Sequence, residues 1–126
     1  MKKLVLLAAF VVFASIASPR AMAAESNIAE QAVALFEKLA NIIDADKADC
    51  DKMGNDVSRF ADENAALLAA IRAHREKLTP EQKKELEKKY GDRMRAAVQK
   101  MMPGIMACSK NDKVKVAFDK FRDLAR

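Results

Sequence analysis

The chain has 126 residues, 23 basic and 18 acidic side chains, a formal net charge of +5 and a single histidine. One histidine leaves catalytic triads and multi-histidine metal sites without their parts. The sequence also lacks a glycine-rich phosphate loop, a nucleophile elbow and any run of metal ligands at a known spacing. No catalytic residue, metal site or cofactor is therefore expected, and the chain reads as a non-enzymatic protein.

The first residues set the compartment. Met1-Lys2-Lys3 is a positive start, Leu4 to Ala17 is an almost unbroken apolar run, and Ala21-Met22-Ala23 has the small-residue spacing that a signal peptidase reads. This predicts a cleavable signal peptide over 1–23, cut after Ala23, and a single domain over 24–126, periplasmic or secreted. The run is shorter than the roughly 20 residues a helix needs to span a bilayer. No stable membrane insertion is expected after cleavage. Removing this segment takes away Lys2, Lys3 and Arg20 and leaves 20 basic against 18 acidic residues, a net of +2. A nucleic-acid role, which the full-chain charge would suggest, loses both its charge and its compartment.

The remaining charge is uneven. Residues 24–71 carry 4 basic and 10 acidic groups, whereas 72–100 carry 10 and 5. Attraction between acidic and basic helices inside the fold is one explanation, and a charged face for a partner is the other.

Gly and Pro total only six residues and no alternating strand pattern occurs, so the fold class is all-α, a small antiparallel bundle of about four helices. A first helix is predicted over about 26–43, with Ile28, Ala32, Leu35, Leu39 and Ile42 on one stripe. Asp44-Ala45-Asp46 offers the N-cap of a second, over about 47–77. Along it Met53, Val57, Phe60, Asn64, Leu67, Ile71, His74 and Leu78 keep a four-three spacing, and the Val57–Asn64 line extended back by seven reaches Cys50. Asn64 on that seam reads as a buried amide that fixes register or partner choice. His74 reads as a partly buried residue at the bundle end.

Thr79-Pro80-Glu81-Gln82 combines an N-cap threonine, a proline at the first helical position and a glutamine three residues on, so a new helix starts there. It is predicted over about 80–102, with Leu86, Tyr90, Met94, Ala97, Val98, Met101 and Ile105 on its apolar face. Met102-Pro103-Gly104 is expected to kink or end it. Ser109-Lys110-Asn111-Asp112 caps a last helix carrying Val114, Ala117, Phe118, Phe121 and Leu124 on one side.

The segments 47–77 and 80–102 would form a long central hairpin. Cys50 lies 29 residues before Thr79 and Cys108 lies 29 after it, each on the core stripe of its helix. In an exported protein this even pair reads as one disulfide stapling the hairpin's open end. A redox-active pair would want close spacing and an activated thiol, and the spacing is missing.

Met94, Met101, Met102 and Met106 gather around the proline. Thioethers suit Cu(I), and a Met/His pair can hold haem in a bundle, so a haem- or copper-binding protein is one alternative. Against it, there is no Cys-x-x-Cys-His attachment motif, and methionines at helical spacing serve as flexible core filler. The carboxylate pairs Asp49/Asp51 and Asp62/Glu63 lie on polar faces beside basic residues and read as solvated helix surface.

Leu78-Thr79-Pro80-Glu81-Gln82, continued by Lys83-Lys84-Glu85-Leu86, resembles the Leu-Thr-x-x-Gln motif of the Spy/CpxP family of small periplasmic helical proteins, over about residues 78–95. The resemblance implies an ATP-independent chaperone or envelope-stress sensor that dimerises into a cradle with a basic, partly apolar concave face. The candidate client-binding surface is then Arg72, Arg75, Lys83, Lys84, Lys88, Lys89, Arg93 and Arg95, with adaptable apolar contact from the nearby methionines. A protein partner or self-association fits this reading. A structural or oligomeric envelope protein with no ligand, its stripes used up inside the bundle, is the remaining alternative.

Overall fold

The computed structural model describes the backbone of residues 17–126 and the side chains of residues 27–126. The charged start and most of the apolar run of the expected signal peptide lie outside the described residues. Five helices follow in order: α1 (Ala17–Ala45), α2 (Cys50–Glu63), α3 (Ala65–Glu76), α4 (Pro80–Cys108) and α5 (Asp112–Ala125). The described residues contain no strand, so the fold is an all-α bundle, and none of its helices is long and apolar enough to cross a membrane.

α2, α4 and α5 each begin where a side chain can accept from an unpaired backbone N–H, whereas α3 has no side-chain cap. Asp49 accepts from Lys52 N at the start of α2, and Asn111 accepts from Val114 N at the start of α5. Thr79 and Gln82 form a full capping box at α4, each side chain accepting from the other's backbone N–H. The expected N-cap at Asp44-Ala45-Asp46 is displaced, because α1 runs on to Ala45 and α2 starts only at Cys50.

The long second helix is divided. Asn64 leaves the helical region at φ −111° and ψ 15°, and its side chain donates back to the Phe60 carbonyl oxygen at 2.8 Å. The amide therefore competes with the backbone for a local partner, and it ends α2 instead of fixing a seam. Pro103, in contrast, does not end α4, which continues to Cys108. Met101, Gly104 and Cys108 share one buried face there, and packing of that face outweighs the lost hydrogen bond.

Helix pairing also differs from the expected hairpin. Segments 47–77 and 80–102 do meet at a turn, over 77–79, but α4 packs along α1 and α2 packs along α5. Two glycines permit these approaches. A β-carbon at Gly104 would lie 2.7 Å from the Ile43 carbonyl oxygen on α1, and one at Gly54 would lie 2.7 Å from the Lys113 backbone on α5. Ile43, Met53, Val57 and Cys108 are fully buried at this end. The Cys50–Cys108 disulfide is present and joins the first residue of α2 to the last of α4, so one bond ties the two helix pairs together.

Two predictions follow from this end of the bundle. Thiol labelling of the native protein should find no free cysteine, and reduction should lower unfolding stability in urea by about 4 kcal/mol, as expected for a loop of 58 residues. Gly91 faces open space, where a β-carbon would make only ordinary contacts with Glu87 and Arg95. Gly91→Ala should therefore raise stability by about 0.5–1 kcal/mol, whereas Gly104→Ala and Gly54→Ala should lower it by about 1–3 kcal/mol, read as shifts of the urea midpoint at constant slope.

Candidate functional site

The bundle has two separate cores. The larger one runs through Leu35, Leu39, Ile43, Met53, Val57 and Leu68 and reaches α5, where Phe60 and Phe121 stack with ring centroids 6.4 Å apart. The smaller one is Ala29, Val33 and Tyr90, with Leu86 and Met94 packed on it. α3 leans on the first core through Leu68, and the second half of α4 joins that core through Ala97, Met101 and Cys108, but the first half of α4 rests on the second core, which leaves a gap between it and α3. That gap is an apolar cleft of about 480 Å³, floored by α1 through Ala32 and Phe36 and walled by Ile71 of α3, Leu78 of the turn and Leu86 and Met94 of α4.

Local sequence explains the space. Ala29 and Ala32 on α1 and Gly91 on α4 supply small side chains where the walls would otherwise meet. Leu86, Tyr90 and Met94, expected on the hairpin seam, instead pack against α1 and form one wall. His74 is half-buried and lines the cleft, as does Arg75 beside it. The signal that could have revealed the cleft was the run of small residues opposite large ones, which a stripe reading counts simply as apolar.

The eight basic residues proposed as a client surface do not act alike. Arg93 is used inside the fold: it donates to Glu30 at 2.8 Å and to Glu37, both on α1. Its guanidinium and the Lys89 ammonium also lie 5.9 and 5.2 Å from the Tyr90 ring centroid. Arg95 pairs with Asp92 of its own helix at 2.9 Å. Arg75 donates to the Ala125 carbonyl oxygen on α5 at 3.0 Å. Arg72, Lys83, Lys84 and Lys88 are exposed and make no ion pair among the described residues. Part of the acidic and basic asymmetry is thus spent on joining α4 to α1, and the rest faces solvent.

The methionines separate in the same way. Met94 lines the cleft and Met101 is buried, while Met102 and Met106 point outward, the latter 70% exposed. A second polar cluster sits at the α1–α2 junction. Lys52 bridges Asp46 at 2.9 Å and Asp56 at 2.6 Å, and Arg59 reaches Asp56 at 2.7 Å. Asp46 is buried, with one carboxylate oxygen lacking a partner. The lysine ammonium takes the place a cation would need, and the described residues hold no group of three acidic, cysteine or histidine side chains suited to a metal.

Several of these groups titrate away from their usual values. Arg93, with Tyr90 assisting, holds the Glu30 carboxyl below the ordinary range. Lys52 does the same for Asp56, and Asn111, followed by Lys113, does so for Asp51. A carboxyl whose folded pKa is depressed contributes stability that is complete above its unfolded pKa, near 4, and is lost as pH falls through the folded value. Thermal unfolding followed by circular dichroism should accordingly show a midpoint that is flat from about pH 5 upward and declines below about pH 4. Glu30→Gln should make that decline shallower.

No protein-family model, curated protein or solved structure matches this chain.

Proposed function

We propose that the chain is a small exported, non-enzymatic binding protein, periplasmic or secreted, whose binding site is the apolar cleft between α1, α3, α4 and α5. The observation that carries this reading is the cleft itself: about 480 Å³, open at one side, and apolar except for a few groups at its rim. A volume of this size lies within the range of sites for small molecules, roughly 300–1,000 Å³. Apolar surface left in water is unfavourable by about 25 cal/mol per Å², and contiguous patches of it mark places where something else is covered.

A client-binding reading, chaperone-like and similar in kind to the Spy/CpxP proteins, draws on a different observation. Val98, Met102 and Met106 recur every four residues on the outside of α4 and are all exposed. They continue the helix face that carries Lys84, Lys88 and Arg95 nearer its start, which joins adaptable apolar contact to positive charge. The two surfaces belong to adjoining faces of one helix: Gly91, which lines the cleft, stands one turn before Arg95 and two before Val98.

The uncharged probe N-phenyl-1-naphthylamine tests the cleft. Its fluorescence should rise on saturable binding of one molecule per chain, and Gly91→Leu, which puts a large apolar side chain at a position lining the cleft, should reduce that binding at least tenfold. Unchanged fluorescence in the wild-type chain overturns the cleft as a site. In parallel, an unfolded model protein should aggregate more slowly with stoichiometric amounts of the chain and no ATP, and Met102→Lys/Met106→Lys should abolish the effect. Absence of any protection removes the chaperone-like reading.

A further inference from the structure

Polarity is not evenly spread along the cleft. Its lining on α3 runs from Leu68 to Arg75, which at 1.5 Å per residue is a length of about 10 Å, and Leu78 in the turn that follows extends it. At the inner end stand Leu68 and Leu35 of the main core, with Phe36 beside them. At the outer end, where the 77–79 turn joins α3 to α4, the polar groups gather: His74 and Arg75 on one wall and Glu87 on the other. Between the two ends Ile71, Tyr90 and Met94 line the cleft.

Arg75 is positioned and still has donors to offer. One of its N–H groups is donated to the Ala125 carbonyl oxygen, which fixes the guanidinium at the rim. A guanidinium carries five donors in a planar fork suited to a carboxylate, and Arg75 makes no ion pair among the described residues. Glu87 on the facing wall repels an anion there, so an anionic head is directed to the Arg75 side. A peptide segment would carry backbone N–H and C=O groups onto a floor that cannot satisfy them. An alkyl tail carries none.

We propose that the cleft takes one medium-chain fatty carboxylate, its tail lying along Phe36, Ile71 and Met94 and its carboxylate on the Arg75 guanidinium. This rests on the reading of the cleft as a binding site. Affinity should then depend on both ends of the ligand: on tail length through burial of methylenes, and on head charge through Arg75.

Calorimetric titration of the full chain with laurate and with 1-dodecanol, each kept below the concentration at which it self-associates, separates these contributions. Laurate should bind once per chain and at least tenfold more tightly than dodecanol, and shortening the acid by two carbons should weaken it about tenfold. Arg75→Gln should remove the advantage of laurate and leave dodecanol unchanged, while Gly91→Leu should weaken both. Equal binding of acid and alcohol, unaffected by Arg75→Gln, overturns the assignment of the head while leaving the apolar cleft as a site. Weakening of both ligands by Arg75→Gln also overturns it, because the residue would then be acting on the shape of the cleft. If neither ligand binds the wild-type chain, the inference and the reading of the cleft as a binding site fall together.

Discussion

Helix α4 lies against α1, and α2 against α5, at two places where a side chain is missing. At Gly104 the backbone of α4 comes within reach of the Ile43 carbonyl, and at Gly54 the backbone of α2 comes as close to Lys113. Such approaches exclude any larger residue, because backbone cannot yield as the end of a flexible side chain can. They decide which helices are neighbours, and the disulfide between Cys50 and Cys108 then joins the two pairs at one end. Ile43, Met53 and Val57 are fully buried in the same core as Cys108.

Tight closure at one end leaves the other end open. The turn at 77–79 connects α3 to α4, yet α3 rests on the larger core while the first half of α4 rests on the smaller one, so their apolar faces look across a gap there instead of interlocking. Charge reinforces the arrangement. Arg93 binds α4 to α1 through Glu30 and Glu37, and Lys100 does so further along through Asn41. Exposed pairs of this kind contribute little each, but they agree with the glycine contact about which helix α4 should follow. The cleft is a consequence of that agreement. Its floor on α1 sets Ala29 and Ala32 beside Phe36, and its walls are held apart where α3 and the first half of α4 rest on different cores.

Much of the local structure could be read from the residues. The capping box at Thr79 and Gln82, the start of the last helix near Asn111 and the placing of Cys50 and Cys108 on buried stripes all depend on neighbours a few residues apart, where geometry is nearly invariant. Pro103 and Asn64 show where neighbours along the chain do not suffice. Proline usually ends a helix and asparagine can sit in a seam, but the outcome at each position depended on what faced it. Pro103 stands on the exposed side of a helix whose opposite face is fully engaged. Asn64 found a backbone carbonyl one turn back and took it. The candidate basic surface was legible as composition, yet Arg93 could be separated from Lys84 and Lys88 only once the carboxylates of α1 were seen beside it.

By itself the sequence determined that this protein is helical, where most of its helices begin, and which faces are apolar, because periodicity and capping are properties of contiguous residues. It also carried the pairing of its two cysteines. Which helices became partners was decided only by the tertiary structure. An apolar stripe specifies that it must be buried and does not name the surface that buries it, and the choice fell to shape: a missing β-carbon at Gly104 and another at Gly54. The cleft follows from that choice, since it consists of apolar residues that the selected pairing leaves without a partner.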